Sequence, residues 1–208
     1  MLFFLFGCLA VTASAAPVPE AIAAAVAHPA RSEEDRARDA TRRAAEVLAF
    51  AGIEPGDVAL DLFAGGGYYS ELLARTVGES GRVWMHNNDA YVAFVGEALT
   101  ERLTGDRLPN VVRTDQEIAD LELPENSIDV ALMVMSWHDL YWISENWPVY
   151  DVEDFLARLT RALAPGGTLV IVDHAAVDGS GIDAVDALHR IDEAHVIATL
   201  EAVVARGE

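Results

Sequence analysis

The sequence predicts an α/β fold, a doubly wound and mostly parallel sheet between two layers of helices. Three observations carry that prediction. Short apolar runs alternate with helical periods five times along the chain, which is the pattern of repeated βα units. The fourth run, Ile128 to Met135, is the most continuously apolar of the mature chain, broken only by Asp129 near its start, as suits a strand covered on both faces. The first, Val58-Ala59-Leu60-Asp61-Leu62, leads at once into Gly65-Gly66-Gly67 and then a helix start at Tyr68. A strand, a glycine turn and a helix N-terminus are the parts of a nucleotide-binding crevice. Glycine admits positive φ and the close approach of a ligand, and the first turn of the helix offers free N–H groups.

The elements follow in order. Residues 1–15 are apolar and end in Ala13-Ser14-Ala15, with Pro17 just beyond. They read as an export signal, although no Lys or Arg follows Met1. The mature protein is then expected outside the cytoplasm, in the periplasm, with no stable membrane insertion once the signal is removed. If the segment is not a working signal, the alternative is the cytoplasm. Residues 16–30, rich in alanine, read as a flexible lead-in to one domain over 31–208. Ser32 is a helix N-cap with Glu33, Glu34 and Asp35 in the first turn, and that helix runs to about Phe50 before Gly52 stops it. After the glycine loop and its helix come strand Arg82–His86, helix Ala90–Leu103, strand Val111–Arg113 and strand Ile128–Met135. The aromatic stretch Tyr141–Tyr150 is irregular. Asp151 caps a helix to about Leu163, Ala164-Pro165-Gly166-Gly167 turns, and strand Thr168–Val172 follows. Asp183 to Arg206 is mostly helical, with a break near Arg190–Asp192.

Bulk composition excludes some partners. Among 208 residues there are 34 acids and 14 bases, a net charge of −20. No basic patch exists to exchange for phosphate counterions, which argues against nucleic acid and against anionic membranes. Cys8 is the only cysteine, so disulfides and cysteine zinc sites are excluded.

The run Asp61-Leu62-Phe63-Ala64-Gly65-Gly66-Gly67, a polar pair after the second strand, Asp115 after the third and Leu163-Ala164-Pro165-Gly166-Gly167-Thr168-Leu169 before the fifth together resemble the class I S-adenosylmethionine-dependent methyltransferases. The resemblance covers roughly residues 46–174. Within that family it is most similar to a group of exported bacterial methyltransferase-like proteins with a Gly-Gly-Gly-Tyr-Tyr loop. It implies a Rossmann-like three-layer α/β/α domain, but without the C-terminal antiparallel hairpin with which members usually finish, so that strand five is an open edge.

The resemblance also implies the site. Gly65 and Gly67 line the methionine part of S-adenosyl-L-methionine, Asp61 helps to hold its amino group, and Ala64 and Gly66 also belong to the cofactor-binding loop. Asn87 and Asn88 stand where the ribose hydroxyls bind, in place of the usual acid. Asp115 lies near the adenine, and Ser136 to Asp139 face the transferred methyl. Phe63 replaces a glycine common in the motif and would narrow the pocket. A nicotinamide enzyme fits less well. Ser70 fills the third glycine place of that fingerprint, and His86 or Asn87 stands where its acid belongs.

Methyl transfer requires alignment, exclusion of water and often a base. His138 is the candidate base, with Asp139 to orient it. Trp137, Tyr141, Trp142 and Trp147 are candidates to wall a pocket for a small-molecule acceptor. Of Tyr68 and Tyr69, one is expected in the core and the other at the crevice. Asp139, Asp173 and His174 also lie at strand ends, where some family members bind a divalent cation. The spacing is not diagnostic, and no metal ligand is assigned. The alternative function is a non-catalytic nucleoside-cofactor-binding or interaction protein on the same fold.

Overall fold

A computed structural model describes residues 17–206. The expected export signal lies outside the described residues. Five parallel strands, β1 (Val58–Asp61), β2 (Arg82–Asn87), β3 (Val111–Asp115), β4 (Ile128–Val134) and β5 (Leu163–Val172), form one sheet in the order β3-β2-β1-β4-β5. β1 pairs with both β2 and β4, Asp61 standing opposite Met85 on one side and Leu132 on the other. The winding reverses there, and the carboxyl ends of β1 and β4 are where such a sheet opens a crevice.

Helices cover both faces. On one, α1 (Glu20–Val26), α3 (Ala44–Ala51) and α4 (Tyr68–Val77) bury Ile22, Leu48, Leu72 and Leu73 against Val83 and Leu132. On the other, α6 (Val152–Ala162) and α8 (Glu193–Arg206) pack Phe155, Leu159 and Val203 against Leu60, Ala131 and Met133. α2 (Glu33–Arg42) and α5 (Asp89–Leu103) flank the glycine loop, and α7 (Val185–Leu188) precedes α8. The predicted break between 183 and 206 falls between α7 and α8, where His189 is left-handed. No described helix is long and apolar enough to cross a membrane.

The structure differs from the sequence reading in four places. The alanine-rich lead-in contains α1, whose Ile22 and Ala25 are buried; two turns suffice to seat Ile22 in the core that α4 lines. The single helix expected over 32–50 is two helices, because Arg43 adopts φ 49°. That turn lets α2 keep a polar face at the crevice while α3 buries Val47, Leu48 and Ala51. β5 starts five residues early, at Leu163 opposite Ile128, and its register then slips so that Thr168 meets Val130. Gly167 sits tight in that irregularity, where a Cβ would come within 2.6 Å of the Ile128 carbonyl oxygen. Finally, both Tyr68 and Tyr69 are buried and reach the first face. Their hydroxyls donate to Asp39 (2.6 Å) and to the Arg42 carbonyl (3.0 Å).

Among the described residues, β5 pairs only with β4.

Candidate active site

The glycine loop forms the floor of a cavity of about 650 Å³. Gly65 and Gly67 both take positive φ, 57° and 77°, and Gly67 is the N-cap of α4. Asp61, Ala64, Gly65 and Gly66 line the cavity, together with Arg38 and Arg42 of α2 and Val134 and Met135 at the end of β4. Asp61 is fully buried and accepts a 2.5 Å hydrogen bond from Ser70. Burial pushes its carboxyl up to about 7, against the hydrogen bond from Ser70.

Behind the loop lies a cluster of ion pairs that the sequence reading missed. Glu71, 1% exposed, accepts from Arg75, Arg102 and Arg107 at 2.6–2.9 Å. Arg102 also bonds Asp35 at 2.8 Å and donates its Nε to the Gly66 carbonyl. Asp35 of α2 and Glu71 of α4 thus hold Arg102 of α5 on one peptide of the loop. Their separation in sequence, 35 to 102, leaves no local signature.

The amides after β2 are placed differently from expectation. Asn87 and Asn88 are both fully buried. Asn87 accepts from Gly65 N–H (2.9 Å) and donates to the Gly65 carbonyl (3.1 Å). Asn88 caps α5 through the Tyr91 N–H (2.8 Å) and donates to the Tyr150 hydroxyl (2.6 Å). Both amides are engaged within the chain, where they shape the loop, and neither lines the glycine-loop cavity. Phe63, left-handed at φ 50°, fills the adjoining space. It stacks on Tyr91 at 5.4 Å and meets Tyr150 at 5.9 Å. Asp115 pairs with Arg113 at 2.7 Å and does not line the glycine-loop cavity. Ser136 is buried, and its hydroxyl faces the Leu62 carbonyl at 3.4 Å rather than a cavity.

A second cavity, about 500 Å³, lies beside the first. Tyr91, Phe94, Trp142 and Trp147 wall it, and His138, Asp139 and His189 stand at its end. Tyr91 and Met135 line both cavities. Of the four expected aromatic walls, Trp142 and Trp147 take that part. Trp137 is fully buried in the core, and Tyr141 packs against His195.

His138 is oriented by Asp173, not by Asp139. The Asp173 carboxylate lies 2.8 and 3.0 Å from His138 Nδ1 and accepts from the His138 and His174 backbone N–H groups at 2.9 and 2.7 Å. Asp139 stands on the other side of the ring, its Oδ1 3.3 Å from Nε2, and its Oδ2 accepts from Tyr91 at 2.6 Å. Burial by itself would lower the His138 pKa. The hydrogen bond with Asp173 and the charges of both carboxylates outweigh it and hold the imidazole above its ordinary value. Asp139 is raised by burial, whereas the bonds from His138 hold Asp173 low in spite of its burial.

Comparison with known proteins matches residues 60–171, more than half of the chain, to the family described as "Methyltransferase domain". The chain belongs to that family. It is 28% identical over 132 residues to a ubiquinone/menaquinone biosynthesis C-methyltransferase, UbiE, of Hydrogenovibrio crunogenus, a match covering 63% of this chain and 47% of that protein. The chain spans about half the length of the curated relatives it matches. Among solved structures, a SAM-dependent methyltransferase from Aquifex aeolicus superposes with a TM-score of 0.63 at 24% identity, over 80% of this chain and 81% of the other. A Haemonchus contortus phosphoethanolamine N-methyltransferase in complex with S-adenosyl-L-methionine superposes with a TM-score of 0.58 at 17% identity, over 76% and 35%. These two show the fold.

S-adenosylmethionine is the cofactor of this domain. The residues present fit its amino-acid end. Asp61 offers a buried carboxylate to an ammonium, and Arg38 and Arg42 line the same cavity as cations for a carboxylate. The pKa of Asp61 makes this testable. Only the ionised carboxylate pairs with an ammonium, so affinity is expected to climb about tenfold per pH unit below about 7 and to level off above it. Calorimetry across that range checks this, and Asp61→Asn should weaken binding and flatten the profile. The same shift acts oppositely on stability. The folded state keeps a proton that the unfolded state releases, so this contribution is complete below about 4 and is lost as pH rises through about 7.

Proposed function

We propose that this protein is an S-adenosylmethionine-dependent methyltransferase acting on a small, flat, largely apolar acceptor with an ionisable group. The observation that carries this is the shared wall. The glycine-loop cavity and the aromatic cavity meet at Tyr91 and Met135, and the second one ends at His138. An acceptor stacked among Phe94, Trp142 and Trp147 sits next to the cofactor cavity and within reach of a base. The quinone chemistry in the name of the UbiE relative agrees with an aromatic acceptor.

Bound cofactor supplies an electrophilic methyl group on a sulfonium. The rest is done by the chain's own residues. Asp61 and the glycine loop hold the amino-acid end. The aromatic walls position the acceptor and keep water out. His138, held at Nδ1 by Asp173, receives the acceptor's proton at Nε2. His138→Ala is expected to keep cofactor affinity and to lower methyl transfer to a panel of quinols and phenols by about 100-fold or more. Full turnover in that variant would reject His138 as the base.

One observation favours a second reading, a non-catalytic protein. The Asn87 and Asn88 amides are bonded within the chain, and Phe63 fills the space beside them. Cofactor binding with no transfer to any acceptor, in wild type as in His138→Ala, would support it.

A further inference from the structure

We propose that His138, Asp139 and His189 form a binding site for one divalent transition-metal ion of the zinc or cobalt type at the end of the aromatic cavity. One ligand atom from each lies within 4.8 Å of the other two. The pair Nε2 of His138 and Oδ1 of Asp139 is 3.3 Å apart. That is long for a charge-assisted N–H···O bond, which runs about 2.7–2.9 Å. It is close to the edge of a tetrahedron with metal–ligand bonds of about 2.0–2.1 Å, roughly 3.4 Å.

Two further observations are independent of the spacing. Each buried ligand has an outer partner that leaves the inward atom free. Asp173 takes His138 at Nδ1, which in the neutral imidazole leaves the lone pair on Nε2, and the carboxylate–histidine pair is the arrangement that orients metal-binding imidazoles. Tyr91 donates to Oδ2 of Asp139, so Oδ1 faces the cluster. The third ligand, His189, is exposed and takes φ 50°, its ring 5.3 Å from that of His138 and 5.4 Å from that of Trp142. Two imidazoles and one carboxylate suit zinc, cobalt or iron better than magnesium or calcium. Three protein ligands leave a position open toward the cavity, as in catalytic sites.

The binding claim stands by itself; the role of the ion rests on the methyltransferase reading. With the ion present, Nε2 is a ligand, and the metal would lower the proton affinity of an acceptor oxygen in the open position so that its proton is released to water instead of to the imidazole. Without the ion, Nε2 remains the base described above.

The test uses the full chain, stripped with chelator and titrated with Co²⁺ alone. The proposal predicts one tightly held ion per chain with visible d–d absorption of a four- or five-coordinate site. Asp173→Asn should weaken binding about 10- to 100-fold, and His189→Ala should weaken it at least as much while leaving the fold intact by circular dichroism. Absence of a bound ion on folded protein would overturn the proposal. So would weak, multiple binding unchanged in His189→Ala, which is what the surface acids of a chain of charge −20 would give. Calorimetry with S-adenosylmethionine on the stripped protein keeps the readings apart. Cofactor binding without cobalt binding rejects only the metal site, and cobalt binding without cofactor binding rejects only the methyltransferase reading.

Discussion

Gly67→Asp is expected to abolish S-adenosylmethionine binding and to destabilise the domain. At φ 77° any Cβ is strained, and here it would also lie 2.8 Å from Arg102 Cδ and 3.0 Å from Met85 Sδ. Backbone strain and overpacking together cost on the order of 3 kcal/mol. The added carboxylate would also pull Arg102 from the Gly66 carbonyl, where it fixes the loop. Urea denaturation and calorimetry read the two effects separately. Gly52→Ala is the control for strain alone, since Gly52 has φ 70° with open space around it. That variant should lose stability and keep full affinity. If Gly67→Asp bound cofactor as tightly as wild type, the loop would not be part of the site.

Glu71→Gln is expected to cost about 3–5 kcal/mol, the penalty for breaking a buried ionic cluster by removing one partner. This carboxylate is almost wholly buried, and three guanidinium groups converge on it. A neutral amide leaves them facing one another. Burial would raise its pKa, but the bonds from Arg75 and Arg107 and the charges around it hold it below the usual carboxylate range. Its contribution is therefore present above the unfolded-state value and is lost on acidification through the lowered one. Urea midpoints at neutral pH should fall markedly in the variant, and the difference from wild type should shrink in acid. Since the cluster also holds Gly66, cofactor affinity should fall with it. A midpoint shift no larger than that of an exposed charge change, such as Glu46→Gln, would show that the cluster contributes little.

Much of the fold was legible because the relevant signals are local. The apolar runs of β1 and β4, the three glycines and the Asp151 cap each lie within a few residues, and local composition suffices to find them. The break at Arg43 was not legible. The alanine face of 37–48 has helical periodicity throughout, and only the demand that α3 bury Leu48 while α2 stays polar turns the chain there. The site divides the same way. Asp61 and the glycine loop belong to one short motif, and His138 follows an obvious strand. The partner of His138 did not follow from adjacency, for Asp139 is next in sequence but Asp173, at the end of the neighbouring strand, takes Nδ1. His189 reaches the same spot from the turn after α7, with no motif to announce it. The fate of Asn87 and Asn88 depended on Tyr150 and on the loop backbone, contacts that only the folded chain creates.

The most direct measurement is calorimetric titration of the folded protein with S-adenosylmethionine, beside Gly67→Asp and Asp61→Asn. Micromolar binding at one site, lost in the first variant and weakened in the second, is the predicted result. No binding by a wild-type protein shown to be folded would contradict the assignment of the glycine-loop cavity as a cofactor site.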